Sequence, residues 1–252
     1  MRVSAILELS NGKSMQGSLI GASCETSGEL VFTTAMVAYS EALTDPSYYG
    51  QILVFSYPLI GNYGIPALKK KGFDLRSKAW ESDAVHAKGV VISSYSPETF
   101  HWTSGLDLDS WLSEQNKVGI CDIDTRELVR QIREEPQLFA RIRKLQPLKT
   151  KKPQALSLKN YDFFDPNKKE IVPFVSSKKR EVFGSAKLRI AVLDCGVKWN
   201  ILRQIIKEDC SVELLPYDTD LSTVDCDGFL LSNGPGNPNY CSKIVSRVKK
   251  LL

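Results

Sequence analysis

Nucleophilic chemistry in this 252-residue chain would fall to six cysteines and two histidines. A thiol attacks only as the thiolate, so it needs a base beside it and a third group to orient that base. Cys24, Cys121, Cys195, Cys210, Cys226 and Cys241 are spread along the chain and form no C-x-x-C pair. That spacing argues against a zinc site and for a reducing, cytoplasmic compartment. Cys241 begins a helical stretch just after a glycine-rich turn, where the helix dipole would lower a thiol pKa, but its segment holds no histidine. Cys195, in LDCGVKWN, reads as a small packed residue before a glycine turn, and Cys210 and Cys226 as packing residues near strand starts. His86, in a predicted strand, and His101, beside Trp102, read as structural or surface residues.

Three loops have the composition of binding sites. LSNGPGNP, 231–238, follows a buried apolar strand. Glycines there let a backbone approach a ligand, Pro235 stiffens the turn, and free N–H groups can face a developing oxyanion. An ordinary strand-to-helix turn has the same composition, but the end of a buried strand is where α/β sheets bind ligands. LTDPSY, 43–48, starts a turn at Asp45-Pro46 that displays Ser47, either as a hydrogen-bonding group for a ligand or as a turn-stabilising serine. PLIGNYG, 58–64, is a ligand loop or a tight connection.

The elements that carry these loops fall into two patterns. Up to about residue 140 the chain is strand-rich. Residues 2–9 alternate and end at Asn11-Gly12, a hairpin signal, with 17–20 as the return strand. Residues 29–34, 51–57, 85–92 and 117–121 are further strands. A short helix spans 109–115 with Asp107 or Asp109 as its cap. A clearer helix spans 124–134, with Asp124 and Glu127 spaced as a capping box and Leu128, Val129 and Ile132 as its apolar stripe. After residue 186 strands and helices alternate: strand 188–193, helix 200–207, strands 212–215 and 228–231, and an amphipathic helix 242–252. This predicts an α/β architecture: a β-rich α+β domain over 1–145, a linker or crossing segment over 146–186, and the opening of a doubly wound parallel sheet over 187–252.

Residues 141–180 hold twelve lysines and arginines against three acids, with four prolines. Basic and aromatic residues are not interleaved as on a stacking platform, so a solvated linker is the better reading than a nucleic-acid surface. The net charge of +4 and the absence of any run near 20 apolar residues give no reason to expect nucleic acid or a membrane as partner. The N-terminal apolar patch reads as a strand, not a signal peptide. Because Leu252 stands inside an apolar helical stripe, and three strands make only part of such a sheet, the expectation is a fragment, poorly soluble alone.

Five stretches then occur in one order: ELVFTTAMVAYSEALTDPSYYGQILVFSYPLIGNYGIP, ESDAVHAKGVVI, CDIDTRELVRQIRE, VLDCGVKWNILRQI and LLSNGPGNP. Together they closely resemble the small, glutamine-hydrolysing subunit of carbamoyl-phosphate synthetase, over essentially the whole chain. The resemblance implies a family-specific N-terminal domain followed by a class I amidotransferase sheet. It implies hydrolysis of glutamine, with ammonia passed to a large subunit that makes carbamoyl phosphate for arginine and pyrimidine synthesis. ATP sites belong to that large subunit, so no cofactor is expected here. Carried over by motif, Ser47 would contact glutamine, Gly234 and Gly236 would line the same pocket, and the Gly234 amide would hold the oxyanion.

The family's nucleophile is a cysteine in a G-x-C-x-G-x-Q turn downstream of SNGPG, completed by a histidine and a glutamate further on. That pattern does not occur in these 252 residues. AMVAYSE stands for a Thr-Gly-Tyr-Gln-Glu run, Asn237 for an aspartate, and EEPQLFARI lacks an expected glycine. No catalytic residue is therefore assigned, and the chain itself is expected to be inactive as a glutaminase. The alternative is a non-enzymatic partner that docks on the large subunit while free ammonia serves as the nitrogen source.

Overall fold

The computed structural model describes residues 3–66, 73–74, 77–102, 104–145 and 162–251. The elements run β1 (Ser4–Leu9), β2 (Ser14–Gly21), β3 (Thr26–Thr33), α1 (Tyr39–Thr44), β4 (Gln51–Phe55), β5 (Leu59–Ile60), β6 (Ile65–Pro66), β7 (Gly89–Val91), β8 (Ser94–Tyr95), β9 (Ser104–Leu106), α2 (Leu108–Glu114), β10 (Val118–Cys121), α3 (Thr125–Glu134) and β11 (Phe139–Lys144). They continue with β12 (Glu181–Phe183), β13 (Leu188–Asp194), α4 (Trp199–Lys207), β14 (Cys210–Pro216), β15 (Gly228–Leu231) and α5 (Ser242–Leu251). The chain folds into two compact units. One holds 1–43, 50–69 and 87–165; the other holds 44–49, 70–86 and 166–252.

The first unit is a closed barrel of seven strands in the order β1-β11-β3-β4-β7-β10-β2. β1 and β2 form the hairpin expected at Asn11-Gly12, with Glu8 opposite Ser14. β3–β4, β4–β7 and β7–β10 are parallel, and the other neighbours are antiparallel. Alternate residues point inward, so Leu7, Leu30, Ile52, Val54, Val91, Ile120 and Ile142 meet in one core. The stripe of α3 joins it through Leu128, Val129 and Ile132. Asp124 caps α3 by accepting from the Glu127 N–H at 3.0 Å, and Asp107 caps α2 through the Ser110 N–H at 3.0 Å.

Several expectations are corrected. The strand expected over 85–92 is only Gly89–Val91, so His86 lies outside it. β11 closes the barrel from a stretch not read as a strand, since its inward residues Ala140 and Ile142 alternate with arginines. α1, over Tyr39–Thr44, is a helix not expected from the sequence, and it ends just before the turn expected at Asp45-Pro46. Of the expected linker, 146–161 lie outside the described residues. The rest carries 3₁₀ turns at Pro166–Lys168 and Val172–Phe174 and the strand β12.

Across β1 and β11, Arg143 Nη2 donates to Glu8 Oε1 at 2.7 Å, with both side chains largely out of water. Removing one partner of such a pair strands the other. Arg143→Ala is expected to cost about 3 kcal/mol in urea unfolding, a magnitude typical of a broken buried pair. A change below about 1 kcal/mol, the range of exposed pairs, would mean that the pair is solvated.

The second unit is a four-stranded sheet, β12-β14-β13-β15. β13 runs parallel to both β14 and β15, and β12 pairs antiparallel at the edge. From β13 the chain crosses through α4 to β14, then returns past β13 to β15. β14 and β15 thus flank β13 on opposite sides, a reversal of strand order that opens a crevice at the carboxyl ends of β13 and β15. Ala191, Leu193, Leu215, Leu221 and Ile244 of α5 form a core on one face. Leu188, at the start of β13, is half exposed, so of the strand expected over 188–193 only Ala191–Leu193 are buried on both faces. Among the described residues, no helix is long and apolar enough to cross a membrane.

Candidate functional site

At the end of β13 the buried Asp194 organises the loop that follows. Its Oδ1 accepts from the N–H groups of Gly196 at 2.9 Å and Val197 at 2.8 Å, and its Oδ2 from the Ser177 N–H at 2.7 Å. At the end of β15, Ser232 stitches the second loop to the first: its hydroxyl accepts from the Cys195 N–H at 2.9 Å. Gly234 then lies directly on the Cys195 carbonyl. A Cβ built on Gly234 would stand 2.0 Å from that oxygen, so only glycine fits. Gly236 has φ +78°, the left-handed region. The Gly234 N–H has no acceptor among the described residues.

The third wall is the 3₁₀ turn Pro46–Tyr48. Asp45 caps it, accepting from the Ser47 N–H at 3.0 Å. Its other oxygen pairs with Lys198 Nζ at 2.6 Å, which ties this turn to the loop after β13. Burial would lower the Lys198 pKa, but the hydrogen bond and charge of Asp45, with Glu81 and Tyr48, outweigh it and hold the ammonium above the usual lysine value. Asn233 Nδ2 donates to Ser47 Oγ at 3.0 Å and, more weakly, to the Gly196 carbonyl at 3.4 Å.

Asn233 therefore brings the Ser47 turn to the loop that carries Gly234 within the second unit, while Gly236, further along that loop, lies against Ile171. Asn233, Lys198 and Asp194 have no place in the sequence reading, and Asp45 enters it only as the start of the turn. The carbonyl of Gly196, the Gly234 N–H and the Ser47 hydroxyl give this crevice both acceptor and donor groups, a set suited to a small polar molecule with amino and carboxylate or amide functions.

The cysteines near the crevice are not activated. Burial, then the charge of Asp194 and the neighbouring Cys241, pushes the Cys195 thiol up to about 12. Cys241 is also raised, by burial and then by Glu170, so the lowering considered for a thiol at the start of this helix is not found. His86 lines a cavity of about 520 Å³ with Phe73, Trp199 and Lys178, and no cysteine lines that cavity. At pH 8, Cys195 and Cys241 are expected to alkylate with iodoacetamide at least tenfold more slowly than free cysteine. A rate equal to that of free cysteine would show that one of them is a thiolate.

Comparison with known proteins gives two domain matches. Residues 7–142 match the model of the carbamoyl-phosphate synthase small chain, CPSase domain, and residues 191–252 match that of the class-I glutamine amidotransferases. The arginine-specific small chain of carbamoyl phosphate synthase from Saccharomyces cerevisiae is 39% identical, over 97% of this chain and 58% of its own length. The multifunctional protein CAD of Squalus acanthias is 42% identical over 98% of this chain and 11% of its own. The mitochondrial carbamoyl-phosphate synthase [ammonia] of Aquarana catesbeiana is 37% identical over 98% of this chain and 16% of its own. The chain thus spans little more than half of the yeast relative and far less of the two longer proteins. An aminopeptidase from Aneurinibacillus aligns at a TM-score of 0.32 and 13% identity, too low to carry an argument. With its barrel unit matched almost end to end and identity of this level along nearly all its length, the chain belongs to the carbamoyl-phosphate synthase small chain family.

Proposed function

We propose that this chain carries the glutamine-recognising walls of a small subunit that supplies ammonia from glutamine to a large synthetase subunit, for carbamoyl phosphate used in arginine and pyrimidine synthesis. The observation that carries this reading is the hydrogen bond from Asn233 to Ser47, which brings the Ser47 turn to the Gly234 loop. In this reading Ser47 and the Gly196 carbonyl hold the polar ends of glutamine, and Gly234 presents its N–H to the oxygen on which charge develops. The nucleophile and its partners are not supplied by these 252 residues. The raised thiol pKa of Cys195 and Cys241 supports that assignment. Purified chain is expected to bind L-glutamine in a calorimetric titration and to release no glutamate from it. Glutamate release that disappears in Cys241→Ser would overturn the inactive assignment, and a flat titration would overturn the pocket.

A second reading keeps the chain as a docking partner for the large subunit, with ammonia drawn from solution. The relative from Aquarana catesbeiana favours it, because its name carries the word ammonia. Co-purification with a large subunit at low salt tests it, and failure to form a complex would rule it out.

A further inference from the structure

We propose that Glu81 is the positioning residue of this crevice, a half-buried clamp that seats the Ser47 turn against the loop following β13. The inference rests on the glutamine-pocket reading only for its effect on ligand affinity. Its basis is a helix start that cannot satisfy itself. Lys198 occupies the N-cap of α4 and offers no side-chain acceptor there. A cation at the positive end of a helix, above unsatisfied N–H groups, is unfavourable. Glu81, 119 residues away, supplies what is missing: its Oε2 accepts from the Asn200 N–H at 2.8 Å. Its carbonyl accepts from the Trp199 N–H at 3.0 Å.

The same residue reaches the other wall. The Glu81 N–H donates to Thr44 Oγ1 at 3.0 Å, and the next residue, Ser82, donates its hydroxyl to the Thr44 carbonyl at 2.6 Å. Thr44 directly precedes Asp45, the cap of the Ser47 turn. Arg203 closes the arrangement from inside α4. It reaches Glu81 Oε1 at 3.3 Å and donates to the carbonyls of Ser77 at 2.9 Å and Trp80 at 3.1 Å. One side chain and its own peptide groups therefore register two segments whose separation decides whether Asn233 meets Ser47. Asp45, Lys198 and Arg203 are the charged groups around the carboxylate. Burial raises the pKa of Glu81, opposed by the Asn200 N–H and then Arg203. Protonation on acidification weakens its hold on both.

The test follows the Ser47 backbone amide and the Asn233 side-chain amide by nitrogen-15 NMR in the full 252-residue chain, with an L-glutamine titration alongside. Glu81→Ala and Glu81→Gln are expected to move both signals and to weaken glutamine binding about tenfold or more, the scale of an ångström-level misplacement. Glu81→Asp should recover part of each. Leu202→Ala, which removes a fully buried apolar side chain from α4 and takes away none of these hydrogen bonds, should lower Tm and leave both signals in place. In wild type the Asn233 signal should shift in acid, and that shift should shrink in Glu81→Gln. The proposal is overturned if the Glu81 variants leave the signals at wild-type positions, or if Leu202→Ala moves them equally. If wild type ignores glutamine while the Glu81 variants still move both signals, the pocket reading fails and the positioning role stands.

Discussion

Gly234→Ala is expected to destabilise the second unit by about 3 kcal/mol, the upper range of overpacking costs. Both atoms in the clash belong to the backbone: the new Cβ would stand 2.0 Å from the Cys195 carbonyl oxygen and 2.9 Å from its carbon. Neither can rotate away, so the loops after β13 and β15 must separate, and Asn233 moves off Ser47 with them. Gly236→Ala provides the contrast. There the nearest atoms are side chain, Ile171 Cγ1 at 2.9 Å and Cδ1 at 3.0 Å, with the Pro166 carbonyl oxygen at 3.2 Å, and the φ of +78° adds a local strain of about 1 kcal/mol. Urea unfolding should rank Gly234→Ala well below Gly236→Ala in stability, and glutamine titration should fall in the same order. Equal stability of the two variants would mean that the 231–238 loop is free to shift as a body.

Asp194→Ala is expected to cost about 4 kcal/mol, because it removes one acceptor from three backbone donors at once, each worth about 1–3 kcal/mol when orphaned. The donors belong to two segments: Ser177, and the Gly196–Val197 turn that leads to Lys198. Asp194→Asn is the finer instrument. Its amide oxygen can keep one set of contacts while its NH2 opposes the other, so it should lie between wild type and alanine. Thermal melting of the three proteins gives the order. If alanine and asparagine both match wild type within about 1 kcal/mol, less than one orphaned donor costs, water already serves the three N–H groups.

The sequence made some of these features readable and hid others for physical reasons. The Asn11-Gly12 hairpin and the Asp124 cap are local events, decided by residues within a few positions of one another, and both occur. Glu127 shows the limit of the capping-box pattern. Its N–H is capped as expected, but its carboxylate turns to Arg130 and Gln131 instead of reaching back. Barrel closure was not readable, because β11 pairs with β1 and β3 across more than a hundred residues and its own alternation is short and arginine-rich. Within the site, Ser47, Gly234 and Gly236 were found through the resemblance. Their turn chemistry alone left each with an ordinary reading. The residues that join them, Asn233 to Ser47 across 186 positions and Glu81 to Asn200 across 119, leave no local trace.

The three successive parallel pairings of the barrel have a consequence for how far the two units are autonomous. Parallel neighbours cannot be joined by a tight hairpin, so the β3–β4 and β4–β7 connections must be long. Those two excursions contain 44–49 and 70–86, the stretches that contribute Ser47 and Glu81 to the other unit. Each is tethered at both ends to barrel strands. Separate expression of residues 166–252 would therefore yield a sheet without its serine turn and without the cap of α4. Refolding should be hierarchical, the crevice maturing only after the slow, high-contact-order closure of the barrel has delivered both excursions.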